Sequence, residues 1–301
     1  MTFETPEDSV PATTFHATRR GILFMAFAIF AFTAMDAVAK GLVAHYPATE
    51  VIWARFIGHL AFVVIYLRQR LLPALKTRFP VWHLARSLTQ LGATAFFFIS
   101  LKYIGLAEAT ALADINPVLI TLGAGLLLGE RLGTQRLIGV AIALIGALIV
   151  TRPGLAVFSP AALLPLICAF CYAGNMLITR HVGARESPWA SMVYAALCGT
   201  LATSALVPFV WQPIAMPDLP AFALLGLLGA VAQLAIIRAF SLAEASAIAP
   251  FGYLDIVFAS LWSITVYGEY PDRSTLIGAL VIALAGLYVW RQEYYATARA
   301  G

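Results

Sequence analysis

Charge is what this chain has least of. Its 301 residues carry 19 Lys and Arg and 15 Asp and Glu, 11% in all, against about 25% in an ordinary soluble domain. A water-soluble globule is excluded. Cysteine is scarce as well: Cys168, Cys171 and Cys198 all sit in apolar runs, which rules out a disulfide framework. Cys168-x-x-Cys171 has no His or carboxylate at ligand spacing, so the thiols read as small buried hydrophobes and no metal or cofactor is expected. His16, His45, His59, His83 and His181 are scattered singly. The rival reading, an integral-membrane enzyme acting on a lipid-soluble substrate, therefore lacks a clustered nucleophile or ligand set. No G-x-x-x-x-G-K-[ST] occurs, which excludes a P-loop ATP site. The net charge is +4, but the basic residues are strung singly between apolar runs, so no basic face for nucleic acid exists.

What is abundant is apolar sequence: 61% hydrophobic residues and a mean hydropathy of +0.87. About 20 such residues cross a hydrocarbon layer about 30 Å thick. Residues 1–18 read as a polar cytoplasmic tail and 293–301 as a second one. Between them, Arg19-Arg20 introduces an apolar run from Gly21 to about Gly41, and nine further runs follow at roughly 49–67, 81–101, 106–128, 134–151, 160–180, 188–209, 219–237, 243–267 and 274–290. Ala37-Val38-Ala39 resembles a signal-peptidase site, yet the first run is too long for a signal peptide and has Asp36 just before that site. The expected fold is all-α and integral to the membrane, with ten transmembrane helices.

Leu106-Ala-Glu-Ala-Thr-Ala-Leu-Ala-Asp114-Ile-Asn116-Pro117 is echoed 136 residues later by Leu242-Ala-Glu-Ala-Ser-Ala-Ile-Ala-Pro250-Phe-Gly252-Tyr253. Each copy follows a lone basic residue, Lys102 or Arg238, and each leads to a Gly-Glu, at Gly129-Glu130 and Gly268-Glu269. Two repeats are thus expected, over 19–152 and 153–292. Five helices is an odd number, so the halves must enter the bilayer in opposite senses, as inverted repeats. Counting Lys and Arg in loops and tails gives thirteen on the N-terminal side and four on the other. The positive-inside rule then puts both termini in the cytoplasm, in a bacterial inner membrane.

A charge inside the hydrocarbon costs about 2.5–3.5 kcal/mol on insertion scales, so each one needs a partner or a purpose. Asp36, Arg55 and Asp114 fall at one level, about 22, 18 and 21 Å from the cytoplasmic face at about 1.5 Å per residue. Arg55 is expected to pair with Asp36 or Asp114, leaving the other carboxylate for substrate or a proton. An ion pair with Lys40, four residues on, is the plainer role for Asp36. Asp114 has no such local cation, and is the better proton carrier. Arg86, Gln90 and Thr94 form one stripe at four-residue steps, which faces a partner helix or a watery cavity, while Arg86 can also snorkel to the surface. Asp114-Ile-Asn116-Pro117 and Pro250-Phe-Gly252-Tyr253 put proline inside apolar spans, and interrupted spans at matching places in two halves point to a central site. Asp255 lies close to the midplane beside Tyr253. The candidate substrate-binding residues are therefore Asp36, Arg55, Gln90, Asp114, Asn116, Tyr253 and Asp255. Gly139, Gly146, Gly278 and Gly286 mark the fifth and tenth helices as close-packing faces, within the chain or in a homodimer.

In these residues, namely Asp36-x3-Lys40, Trp53-Ala-Arg55-Phe56 and the duplicated Leu-Ala-Glu-Ala and Gly-Glu stretches, the sequence resembles the drug/metabolite transporter superfamily. The similarity is to its ten-helix EamA-type branch, and it spans about residues 20–292. The segment from Ala239 to Pro250, with Tyr253-Leu-Asp255, is similar to a bacterial subgroup that includes S-adenosylmethionine and riboflavin transporters. The resemblance implies a secondary transporter working by alternating access around a central cavity. Its partners would be the bilayer, a small organic substrate (a cofactor-like heterocycle or an amino acid) and a proton as coupling ion.

Overall fold

The computed structural model describes residues 12–128, 134–151, 159–182, 188–242 and 249–300. The first half holds α1 (Ala12–Val43), α2 (Ala48–Leu67), a short α3 (Leu71–Leu75), α4 (Pro80–Ser100), α5 (Leu106–Ala113), α6 (Asn116–Leu128) and α7 (Thr134–Thr151). The second holds α8 (Leu163–Val182), α9 (Pro188–Leu206), α10 (Leu219–Leu242), α11 (Leu254–Tyr267) and α12 (Arg273–Ala300). No strand occurs among the described residues. Taking α5 with α6 as one crossing, and a 3-10 turn at Ala249–Tyr253 with α11 as another, gives ten crossings.

Five of the described helices are long and apolar enough to cross a membrane by themselves. α4 is not among them, because Arg86, Ser87, Thr89, Gln90 and Thr94 dilute its hydropathy. Such a helix is stable in a bilayer only if its polar stripe faces protein. Two helices outrun the apolar sequence that marked them. α1 begins at Ala12, inside the stretch read as a tail, and α12 runs on to Ala300 through 293–301. No Gly or Pro interrupts either extension, so hydropathy marks where the chain leaves the apolar layer and not where its helix stops. The second Leu-Ala-Glu-Ala copy beyond Leu242, and Gly129-Glu130, lie outside the described residues.

The contacts between halves have a symmetry of their own. α1 lies along α10 and α8 along α4; α2 meets α10 and α9 meets α4; α1 meets α11 while α8 meets α5 and α6. α2 with α9, α5 with α11 and α7 with α12 pair across the divide. Exchanging α1, α2, α4, α5–α6 and α7 for α8, α9, α10, α11 and α12 maps this pattern onto itself. That is the pseudo-twofold relation an inverted repeat requires.

Glycine lets two of these crossings close. A Cβ on Gly226 of α10 would stand 2.6 Å from the Gly58 Cα of α2, backbone against backbone. At the α7–α12 seam, a Cβ on Gly146 would stand 3.0 Å from the Gly278 carbonyl oxygen, and one on Gly278 2.7 Å from that of Gly146. The small residues expected to serve packing or a dimer are thus used inside one chain at Gly146 and Gly278. Leu148 and Leu276, exposed at 56% and 50%, turn the outer side of that seam toward lipid.

The end of the bundle that carries the α1–α2 turn is tied across the halves by polar side chains. Tyr46 Oη donates to Asp218 Oδ2 at 2.7 Å and accepts from the Ala215 N–H at 3.0 Å. Trp53 Nε1 donates to Ser204 Oγ at 2.9 Å. Lys40 Nζ meets Glu269 Oε2 at 2.6 Å and also donates to the Ile104 carbonyl at 3.4 Å, so Lys40 turns to the other half instead of back to Asp36. The geometry begins at Gly268, whose φ of 64° closes α11 with its N–H on the Ile264 carbonyl. Glycine takes that conformation without strain, and the left-handed cap aims the next residue, Glu269, at Lys40. Gly268-Glu269 is thus a helix stop followed by a cross-half ligand.

The hydrogen bond to Asp218 holds the Tyr46 phenol above its ordinary value of 10.0. A raised phenol favours the protonated folded form, so its contribution is complete below about pH 10 and is lost as pH rises through the folded value. The melting temperature of Tyr46→Phe should accordingly lie below that of the native chain near pH 8, with the gap closing at strongly alkaline pH. A gap independent of pH would refute this role.

Candidate functional site

The α4 stripe sets the site. Arg86 turns inward: its Nε donates to Thr179 Oγ1 at 2.6 Å and its Nη1 to the Ser191 carbonyl at 3.2 Å, binding α4 to α8 and α9 rather than snorkelling out. Asn175, one turn before Thr179, donates to the Arg86 carbonyl at 2.8 Å. Two turns along, Thr94 Oγ1 accepts from Arg55 Nη1 at 2.5 Å. Among the described residues Arg55 forms no ion pair with Asp36 or Asp114; the nearer hydroxyl of α4 takes its donor, and Phe56 and Phe98 lie beside the guanidinium.

Between these anchors lies a narrow cleft of about 30 Å³ at the interface of the halves. Phe32, Arg55, Phe56, His59, Arg86 and Gln90 line it from the first half. Ser191, Met192, Ala195, Gly229 and Gln233 line it from the second. His59 Nε2 is buried there without a hydrogen-bond partner. The 136-residue offset makes Phe222 the counterpart of Arg86 and Gly226 that of Gln90, so these two polar positions of α4 have no polar equivalent in the second half.

A second cluster gathers at the two helix breaks. Asp114 caps α5 and is 8% exposed, and its Oδ2 is buried without a hydrogen-bond partner. Asp255 lies in the first turn of α11. Their charges act on each other, Asp36 is within electrostatic reach of both Asp255 and Arg55, and Tyr172 and Tyr253 stand near Asp114. Asn116 donates one amide N–H to the Ala113 carbonyl at 3.1 Å, bracing the break. Trp262 is turned to α1, donating to Thr33 Oγ1 at 3.2 Å.

Of the seven candidate residues, Arg55 and Gln90 line the cleft. Asp36, Asp114, Tyr253 and Asp255 gather beside the breaks, and Asn116 sits at the first of them with one amide N–H on the Ala113 carbonyl. Gln233 and Thr179 were not among the candidates. Gln233 had a usable signal, a lone amide in the apolar stretch from Leu219 to Ile237. Among the described residues no group of three His, Cys, Asp or Glu could hold a metal ion, and the three cysteines are free thiols.

Gly286 on α12 faces Tyr253, and any Cβ there would overlap the phenol. The ring is rigid and must swing away, so Gly286→Ala should cost about 1–3 kcal/mol. In a Tyr253→Ala background the same substitution should cost almost nothing, because the obstructing ring is gone. Additive losses in that double-mutant cycle, read by melting temperature, would sink this account.

Comparison with known proteins bears on what such a bundle does. The EamA-like transporter family model matches residues 19–152 and again 159–291. A riboflavin transporter of Rhizobium johnstonii is 31% identical over 284 residues, covering 91% of each chain. A pseudopaline exporter of Pseudomonas aeruginosa is 28% identical over 280 residues, 91% of this chain and 97% of that one. An S-adenosylmethionine uptake transporter of Rickettsia bellii is 26% identical over 91% of this chain and 94% of its own. One solved crystal structure superposes with a TM-score of 0.62 at 21% identity, covering 91% of this chain and 96% of the other; it supports the fold alone.

Proposed function

Since the chain belongs to the EamA-like transporter family and is a small-molecule membrane transporter rather than an enzyme, we propose that its cargo passes through the Arg55–Gln90–Gln233 cleft by alternating access. The observation that carries this reading is that both halves wall the cleft while cross-half ties stand on either side of it. Toward the α1–α2 turn are Lys40–Glu269 and Tyr46–Asp218; toward the other end Arg86 holds Thr179, and Tyr194 donates to the Leu75 carbonyl at 3.1 Å. Transport requires one set to open while the other holds. The positive-inside balance supports cytoplasmic termini in a bacterial inner membrane, with the α1–α2 turn on the outer side.

The cargo we favour is a small polar metabolite with a planar or apolar part, a cofactor-like heterocycle or an amino acid. Phe32 and Phe56 flank the cleft, and Gln90 and Gln233 offer paired donors and acceptors. Proton coupling is supported by Asp114 and Asp255, two acids near the breaks that no described cation neutralises directly. Proteoliposomes loaded in turn with labelled riboflavin, S-adenosylmethionine and individual amino acids test both points. One solute should move unchanged across the bilayer, faster with an imposed pH gradient. Asp114→Asn should abolish the effect of the gradient while sparing solute exchange. Chemical conversion of the solute without movement would overturn the reading.

A further inference from the structure

We infer that the cleft is built for an anion, and that the cargo presents a carboxylate to Arg55, His59 and Arg86. The inference deepens the proposed transport function and rests on it for the word cargo, while the binding chemistry is argued from the cleft alone. Two guanidinium groups in the interior of a membrane bundle are costly unless neutralised. Each makes its present bonds to neutral oxygens: Arg55 to the Thr94 hydroxyl, Arg86 to the Thr179 hydroxyl and the Ser191 carbonyl. A guanidinium has five N–H donors, so both keep donors for a further partner. None of the lining residues is acidic. Asp36 acts on Arg55 electrostatically but forms no ion pair with it. His59 Nε2 adds a buried polar atom left without a partner, in the same cleft. Arginine reads carboxylates through paired, charge-assisted hydrogen bonds. The missing counter-ion is the cargo.

The second half sharpens the point. Among the described residues it supplies Ala195, Gly229 and Gln233 to the cleft and no charge, so an acid bound by the first half meets small and amide groups across the interface. A Cβ at Gly229 would stand 3.0 Å from the Met35 sulfur and 4.0 Å from Arg55 Nε, which leaves a flat wall beside the arginine.

Acid and amide pairs test this on the purified full-length chain: nicotinate with nicotinamide, indole-3-acetate with indole-3-acetamide, glutamate with glutamine. In titration calorimetry at least one acid should bind about tenfold or more tightly than its amide, and Arg55→Gln and Arg86→Gln should each remove most of that preference. Should the arginine variants fail to fold, the native chain still gives the answer. Acid affinity should fall with added salt and amide affinity should not. Equal affinity for acid and amide, a preference surviving both substitutions, or no binding by any pair at millimolar concentration overturns the inference. Inorganic phosphate binding as tightly as the best acid would overturn the carboxylate assignment, and so would displacement of that acid by phosphatidylglycerol micelles. In liposomes the two readings separate: movement of an amide but not its acid leaves transport standing and removes the anion site, while tight acid binding without movement does the reverse.

Discussion

Gly226→Val should leave little correctly folded protein. At the α2–α10 crossing, an added Cβ on Gly226 meets the Gly58 Cα at 2.6 Å, the Gly58 carbonyl carbon at 3.3 Å and the Ala54 carbonyl oxygen at 3.3 Å. No side chain can rotate aside there, because every obstacle is backbone. The helices must separate, and α2 and α10 carry Arg55, His59, Gly229 and Gln233, so the cleft would be lost with the contact. Overpacking typically costs about 1–3 kcal/mol; a backbone collision belongs at or above the top of that range. Gly58→Val should behave alike, since the approach is mutual. Gly252 supplies the contrast: it lies at the break before α11, yet a Cβ there has nothing within 4 Å. Gly252→Ala should melt within about 1 °C of the native chain, consistent with the small effect of unobstructed substitutions. Equal losses at Gly226 and Gly252, or none at either, would refute the close crossing.

Lys40→Met should cut transport about tenfold or more while costing little stability. Glu269 is 43% exposed, so once freed it can be hydrated; with Lys40 only 10% exposed, the pair is worth somewhat more than the about 0–1 kcal/mol of a surface pair. Its importance lies in what it joins. Lys40 ends α1 of the first half, Glu269 follows the left-handed cap of α11 in the second, and Tyr267 donates to the Ala37 carbonyl beside them. A tie that must be made and broken in every cycle affects the populations of both states, so losing about 1.4 kcal/mol from one of them changes a rate tenfold. Glu269→Gln should show the same defect. The exchange Lys40→Glu with Glu269→Lys should recover part of the rate, because the attraction survives reversal. Normal initial rates in both single variants would remove the latch from the mechanism.

The parts of this molecule legible in the sequence are those governed by local periodicity. Apolar runs marked the helices; an odd number per repeat, with the charge count, gave the inversion; the lines around Asp114 and Pro250 marked the breaks. The α4 stripe was legible for the same reason, since residues four apart must share a face. What failed were pairings decided across the interface. Asp36 and Lys40 are spaced for an ion pair, yet Lys40 finds Glu269, 229 positions away, because a residue in the last turn of α1 faces the neighbouring half rather than its own helix. Arg55 was matched to a carboxylate by charge and level, but the rotation of α4 brings Thr94 closer. His59 carried a recognisable chemistry and no indication of its neighbours. Depth can be estimated from helical rise, but azimuth comes only from packing.

The Gly58–Gly226 contact has a mechanical corollary. Gly58 lies ten residues beyond Ala48, so rocking of the proposed kind about this crossing would have an arm of about 15 Å to the α1–α2 turn. Every degree of rocking about it displaces that end by about 0.26 Å. A rotation of about 15°, comparable to rigid-body turns in other assemblies, opens about 4 Å. That travel is enough to part Lys40 from Glu269 without unwinding a helix. In such a motion the bare backbone at Gly58 and Gly226 would set the gearing: moving the point of contact by one helical turn would lengthen or shorten the stroke by about a third.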